Sequence, residues 1–451
     1  MTNSPLTLEP TSNPATARRR IFADANRLGS DDRGAHDWYR FVLSYPPHLV
    51  RDYLAQFGAS SQKRVLDPFC GTGTTIVECK KLGIQSVGVE AHPMAHFASS
   101  TKADWNLDPE ELLDSSRRVA AAAISELEAN GIIDDPMPLL ITEMPDRGKL
   151  RTLSPEIQKL LLTNSISPLP LHKALVLRDV IRSKGIETCR SHQLLALAKA
   201  LVTTVGNLEF GPEVGVGPPK ADAPVVSRWL TLVQEMADDL RRLKQLASVP
   251  ARVHHADSRE IAKLVRPESI DIVITSPPYP NEKDYTRTTR LETVLLGFIT
   301  SKKELQALKR TMIRSNTRGV YKGDSDHELV EDHAEIQRIA DAIEARRIEL
   351  GKTSGFERLY AKVTKLYFGG MARHFAELRR VLRPNAQLAY VAGDQASYLR
   401  IMIRTGQLLA SIAQSLGYEI IGIDLFRTRL ATATREQLRE EVVVLRWPGK
   451  K

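Results

Sequence analysis

Two short stretches carry residue types whose spacing could do chemistry. The first runs Asp67, Pro68, Phe69, Cys70, Gly71, Thr72, Gly73. Its glycines let backbone amides approach a ligand that a Cβ would hold off. The helical pattern TTIVECKKLG that follows offers free N–H groups and the positive end of a helix dipole to an anion, whether phosphate or carboxylate. The second stretch is Thr275, Ser276, Pro277, Pro278, Tyr279. Two successive prolines fix the backbone and donate nothing, so carbonyl acceptors, a hydroxyl and an aromatic face converge at one edge. An exocyclic amino group on a base has two N–H donors. A hydroxyl and a proline carbonyl can accept both, while Tyr279 stacks on a base taken out of its duplex. Alone, each stretch has a plainer explanation: a GxG is a tight strand-to-helix turn, and an SPPY ends a strand.

Spacing narrows the ligand of the first stretch. A dinucleotide fingerprint needs a third Gly or Ala where Ile76 stands, and no GxxxxGK[ST] phosphate loop occurs. A nucleoside carrying a carboxylate in place of a pyrophosphate remains, with Glu90 about 20 residues further on to accept ribose hydroxyls. S-adenosylmethionine fits that description.

For the two stretches to act together, the chain must bring both to one edge of a sheet. KRVLD, SVGVE, ARVHHAD, SIDIVITSPPYP, AQLAYVAG, YEIIGIDLF and EEVVVLRW read as short strands, the last pair as a hairpin-like edge. Asp67, Asp257 and Ser276 to Tyr279 then fall at strand C-terminal ends, where open parallel sheets bind ligands. Tyr45, Pro46 and Pro47 predict a bend before a helix. The expected fold class is α/β, with a core over residues 33–106 and 250–451 and a flexible basic arm over residues 1–32. Helical periodicity dominates residues 107–249, read as an insertion broken by the Gly/Pro-rich loop NLEFGPEVGVGPPKADAP. A second helical insertion is expected over residues 300–365.

Composition sets outer limits. The 451 residues carry 63 Lys and Arg against 54 Asp and Glu, a formal charge of +9, which favours a polyanionic partner. Three cysteines with no CxxC pair argue for a reducing compartment and against structural zinc. No run approaches the ~20 apolar residues of a membrane span, so a cytoplasmic protein without bound metal is expected.

The pairing of DPFCGTG with TSPPY resembles the DNA amino-methyltransferase family, the N4-cytosine and N6-adenine methylases marked by FxGxG and [DNS]PPY. It covers the strands before Asn106 and after Val249. The resemblance implies a Rossmann-like class I S-adenosylmethionine-dependent methyltransferase sheet with helical insertions. It also implies that Asp67, Phe69, Gly71 and Gly73 hold the methionine end of S-adenosylmethionine. Glu90 matches the ribose acid and Asp257 the polar group near adenine, while Tyr45 and Pro46 are similar to the segment packing beside the methionine moiety. Ser276, Pro277, Pro278 and Tyr279 match the catalytic tetrapeptide acting on duplex DNA with a flipped base. Ser at its first position leans toward cytosine N4, Asp or Asn toward adenine N6. No covalent intermediate is implied, and the Pro-Cys dipeptide of a carbon-five cytosine methylase is absent, so Cys70 is inert. A restriction-modification or phage-defence role with a cognate partner fits the family. RNA amino-methylation and a non-enzymatic DNA-binding subunit are the competing readings. Arg287, Arg290, Lys309, Arg310 and Arg314 are candidate phosphate contacts, and a solvated helix face explains them equally well.

Overall fold

The computed structural model describes residues 29, 32–40, 44–134, 150–210, 213–281, 283–430 and 437–449. Apart from Gly29 and Asp32, the expected arm over residues 1–32 lies outside them. The strands are β1 (Arg64–Asp67), β2 (Gln85–Glu90), β3 (Leu208–Phe210), β4 (Val214–Val216), β5 (Ala251–His255), β6 (Ile270–Thr275), β7 (Leu382–Gly393), β8 (Glu419–Leu430) and β9 (Gln437–Trp447). Seven of them form one sheet in the order β5-β2-β1-β6-β7-β9-β8. β5, β2, β1, β6 and β7 are parallel, and β9 runs antiparallel between β7 and β8. This is a Rossmann-like sheet with one antiparallel strand set in near its edge.

The central strands are apolar on both faces because both faces are covered. Leu66, Val273, Leu388 and Tyr390 enter one core with Phe375 and Leu409. Their neighbours Val65, Ile272, Ile274, Ala389 and Val391 enter the opposite one with Val50 and Leu54, as the period of two requires. The helices beside the early strands are α1 (Pro47–Gln56), α2 (Thr74–Lys81) and α3 (Pro93–Ala103).

Residues 107–249 supply α4 (Pro109–Glu128), α5 (Pro168–Lys184), α6 (Glu187–Ala200) and α7 (Val226–Leu243). Their buried faces, including Val119, Leu177, Leu197 and Trp229, form one apolar cluster with Val77 of α2 and Met94 and Ala98 of α3. The segment expected as a plain Gly/Pro-rich loop instead contains the antiparallel ribbon β3–β4. The short runs LEF and VGV satisfy each other's backbone groups.

Further along lie α8 (Lys302–Thr311), α9 (Ala334–Glu349), α10 (Tyr360–Leu378) and α11 (Thr405–Ser415). Val363, Phe368 and Phe375 sink α10 into the sheet's core. It is the helix leading into β7, and residue 365 falls inside it. Among the described residues no helix is long and apolar enough to cross a membrane.

Candidate active site

From β1 the sheet grows outward to β2 and β5 on one side, and then to β6 and β7 on the other. The loops leaving β1 and β6 therefore diverge, opening a crevice at their C-terminal ends. Asp67 ends β1 and Thr275 ends β6. The Thr275 hydroxyl donates to Asp67 Oδ1 at 2.6 Å, the Tyr45 phenol donates to Oδ2 at 2.8 Å, and the Phe69 amide donates to Oδ1 at 3.2 Å. Asp67 is fully buried, and that burial pushes its carboxyl up. It thus ties together the loop, the end of β6 and the segment before α1.

A cavity of about 240 Å³ fills the crevice. Tyr45, Pro46, Phe69, Gly71 and Glu90 line it, and so do Ser276, Pro277, Pro278 and Tyr279. Asp67 and Gly73 sit behind this lining. Gly71 has φ +51°, with open space where a Cβ would project, whereas at Gly73, φ +86°, a Cβ would come within 3.0 Å of the Ser99 Cβ. Left-handed backbone and close approach therefore select glycine at the second position. Gly73 also N-caps α2 without a side-chain bond, leaving first-turn amides uncapped beside Thr74 in the cavity wall.

Glu90 accepts the Gly71 amide on Oε2 and the His92 amide on Oε1, each at 2.8 Å. Burial pushes its carboxyl up to about 7, against the pull of those amides. Burial, reinforced by Glu90 and Asp67, also pushes the Cys70 thiol up, so it stays protonated. Asp257 follows β5 just outside the cavity lining. It is committed to the Arg259 guanidinium, at 3.0 Å from Nε and 2.6 Å from Nη2, and its neighbours Ala256 and Ser258 line the cavity instead. Arg259 is buried and bridges on to Asp326 at 2.5 Å. A desolvated guanidinium requires such carboxylate partners.

The wall beyond the tetrapeptide comes from the end of the chain. Gly393 of β7 pairs with Glu440 of β9, which pairs with Arg427 of β8. The Tyr279 ring packs against Gly393 so closely that a Cβ there would lie 2.9 Å from it. The Tyr279 hydroxyl donates to Glu440 Oε1 at 3.1 Å and lies 3.4 Å from the Ser276 hydroxyl. The second Glu440 oxygen accepts from Arg427. A bulge between Leu425 and Arg427 lets consecutive Phe426 and Arg427, and then Arg429, face the cavity. Glu440, Arg427, Arg429 and Lys283 were not among the sequence candidates. The only signal was the alternating FRTR of β8.

Three basic candidates prove to be internal. Arg290 donates to the Thr286 and Leu160 carbonyls. Lys309 pairs with Asp284 at 2.7 Å. Arg314 is 5% exposed, held by Asp324 and the Lys309 carbonyl. Folding has spent these cations on buried acceptors, which removes them as phosphate contacts. Arg287 is half-buried outside the cavity lining, and Arg310 is exposed, its guanidinium 5.0 Å over the Tyr321 ring.

The sheet order and the cavity at its switch point are those that the sequence resemblance implies for a Rossmann-like methyltransferase. A family model described as DNA methylase matches residues 25–99. The chain is similar to the Type II methyltransferase M.BsoBI of Geobacillus stearothermophilus, with 25% identity over 465 residues, covering 95% of this chain and 86% of the relative. It is also similar to the Type II methyltransferase M.AvaI of a Nostoc species, 23% identical over 462 residues, covering 96% and 89%. The crystal structure of TrmN from Thermus thermophilus aligns with 89% of this chain and 48% of its own, at 11% identity and a TM-score of 0.25, too loose a superposition to bear on the reading. The family model and the curated relatives support the DNA amino-methyltransferase family for this chain, and they imply S-adenosylmethionine as its methyl donor. The cavity fits that cofactor: uncapped amides at α2 suit its carboxylate, and Glu90, held by two amides on the cavity wall, suits its ribose hydroxyls.

Proposed function

We propose that this protein methylates the exocyclic amino group of cytosine in DNA, forming N4-methylcytosine, as the modification enzyme of a Type II restriction system. The observation carrying this reading is that both motifs line a single cavity at the switch point of the sheet. S-adenosylmethionine, when bound, supplies an electrophilic sulfonium methyl. Glu90 accepts the ribose hydroxyls, and the α2 amides meet the carboxylate. Tyr279 stacks on a flipped base, while the Ser276 hydroxyl and the Pro277 carbonyl accept the two amino hydrogens. That hydrogen bonding draws the nitrogen lone pair out of ring conjugation. The donor would supply its methyl group to the amino nitrogen with the S–C electron pair staying on sulfur, and the Ser276 and Pro277 acceptors that hold the amino hydrogens would pass the surplus proton to solvent. Orientation supplies most of the rate, so no strong base is required. Cytosine is preferred because Ser276 stands where adenine methylases lean toward Asp or Asn. The two relatives, each a Type II methyltransferase by name, support the restriction context.

Tritiated methyl transfer to unmethylated plasmid DNA and to total RNA, by wild type and Tyr279→Ala, followed by nucleoside mass spectrometry, tests this reading. N4-methylcytosine that vanishes in the variant is the expected result. Label in N6-methyladenine would move the base, label only in RNA would move the substrate class, and no label would end the enzymatic reading.

A further inference from the structure

Lys283, Arg427 and Arg429 share the cavity wall beside Tyr279. Arg427 is neutralised by Glu440. Arg429 has a weaker tie, a 3.5 Å contact with the Asp394 carbonyl. Lys283 has no ion-pair partner among the described residues, although Glu213 and Glu440 lie near enough to favour its charge. Burial, and then Arg429, pull its ammonium below the usual lysine range. A half-buried lysine and an exposed arginine are thus held near each other at the mouth of a cavity, with the adjacent Glu440 carboxylate already used. Like charges in such a place repel, and a bound anion relieves the repulsion.

The sheet order decides which anion. The cofactor loop leaves β1 and the tetrapeptide leaves β6, while Arg427 and Arg429 lie on β8, beyond β7 and β9. Arg429 and the cofactor loop therefore flank the tetrapeptide on opposite sides, and Lys283 lies on the segment that follows it. A flipped nucleotide stacked on Tyr279 carries its own backbone phosphate out of the duplex, and the cofactor carboxylate already has the α2 amides. We infer that Lys283 and Arg429 form an anion subsite for the backbone phosphate of the target nucleotide. This subsite rests on the reading of the protein as a DNA amino-methyltransferase.

The test compares wild type, Lys283→Gln, Arg429→Gln and Lys283→Arg, with methyl transfer to unmethylated plasmid DNA followed at several salt concentrations and S-adenosylhomocysteine affinity measured by calorimetry. Each Gln variant should raise the KM for DNA about tenfold, and should flatten the log–log salt dependence by ~0.9 per lost phosphate contact. S-adenosylhomocysteine affinity should stay within about twofold of wild type, a cofactor-independent loss that fits a phosphate contact, and Lys283→Arg should recover most of the loss. Unchanged DNA KM and salt slope in both Gln variants would overturn the subsite. Weakened S-adenosylhomocysteine binding with unchanged DNA KM would reassign it to the cofactor carboxylate. Loss of wild-type activity on DNA itself would sink the functional reading, and the subsite with it.

Discussion

Tyr279 is held from two sides, by Gly393 against its ring and by Glu440 on its hydroxyl. Glu440 is a positioning residue, acting through the aromatic face that would stack on the base. Tyr279→Phe keeps the face and removes the donor, and Glu440→Ala removes the acceptor. Each should lower kcat about tenfold, the effect of roughly 1.4 kcal/mol, with the KM for S-adenosylmethionine unchanged. Steady-state kinetics of the double variant should show less than the product of the two losses, since both changes break the Tyr279–Glu440 bond while Glu440→Ala also frees Arg427. Additive losses would place Glu440 in a separate role, and Glu440→Gln should recover part of the rate. Glu90 carries a pH prediction. Its carboxyl titrates at about 7 because it is buried, and its ionised form is the better acceptor for ribose hydroxyls. S-adenosylhomocysteine affinity measured by calorimetry should fall about tenfold per unit as pH drops below that value, and Glu90→Gln should flatten the profile. Stability runs the other way. A carboxyl raised by folding contributes stability that is fully present below its unfolded range and lost as pH rises through about 7.

At the scale of elements, the crevice depends on how the ends of β1 and β6 are joined. Thr275→Val keeps the shape of the side chain and removes its bond to Asp67, leaving only the 3.2 Å contact from the Phe69 amide on Oδ1. A loss of about 1–3 kcal/mol is expected for stranding a buried acceptor, read as a lower midpoint in urea. An unchanged midpoint would show that Asp67 does not depend on this clamp. The motif residues were legible in sequence because each motif is local: Phe69, Gly71 and Gly73 lie in one turn, and Ser276 to Tyr279 are consecutive. The row of Gly393, Glu440 and Arg427 was not legible, because it exists only through strand pairing. Asp257 shows the reverse case. It lies just after β5 as expected, yet the buried Arg259 claims its carboxylate.

Across the whole molecule, the helices of residues 107–249 share an apolar cluster with α2 and α3. Trp229 of α7 is fully buried there, and its indole N–H donates to the Gln193 carbonyl at 2.8 Å. Trp229→Ala should cost about 3–5 kcal/mol, and calorimetry should still record one unfolding transition, shifted to lower temperature. A second, separate transition would mean that the helical region folds on its own. Sequence alone determined the strand-and-helix grammar and the two motifs, since periodicity, glycine and proline act over a few residues. It also gave the excess of positive charge, but not where that charge is available. Only the tertiary structure decided that Arg290, Lys309 and Arg314 are spent internally while Lys283, Arg427 and Arg429 face the cavity. A cation's role depends on which acceptors the folded chain brings within hydrogen-bond reach, and those acceptors come from distant parts of the sequence.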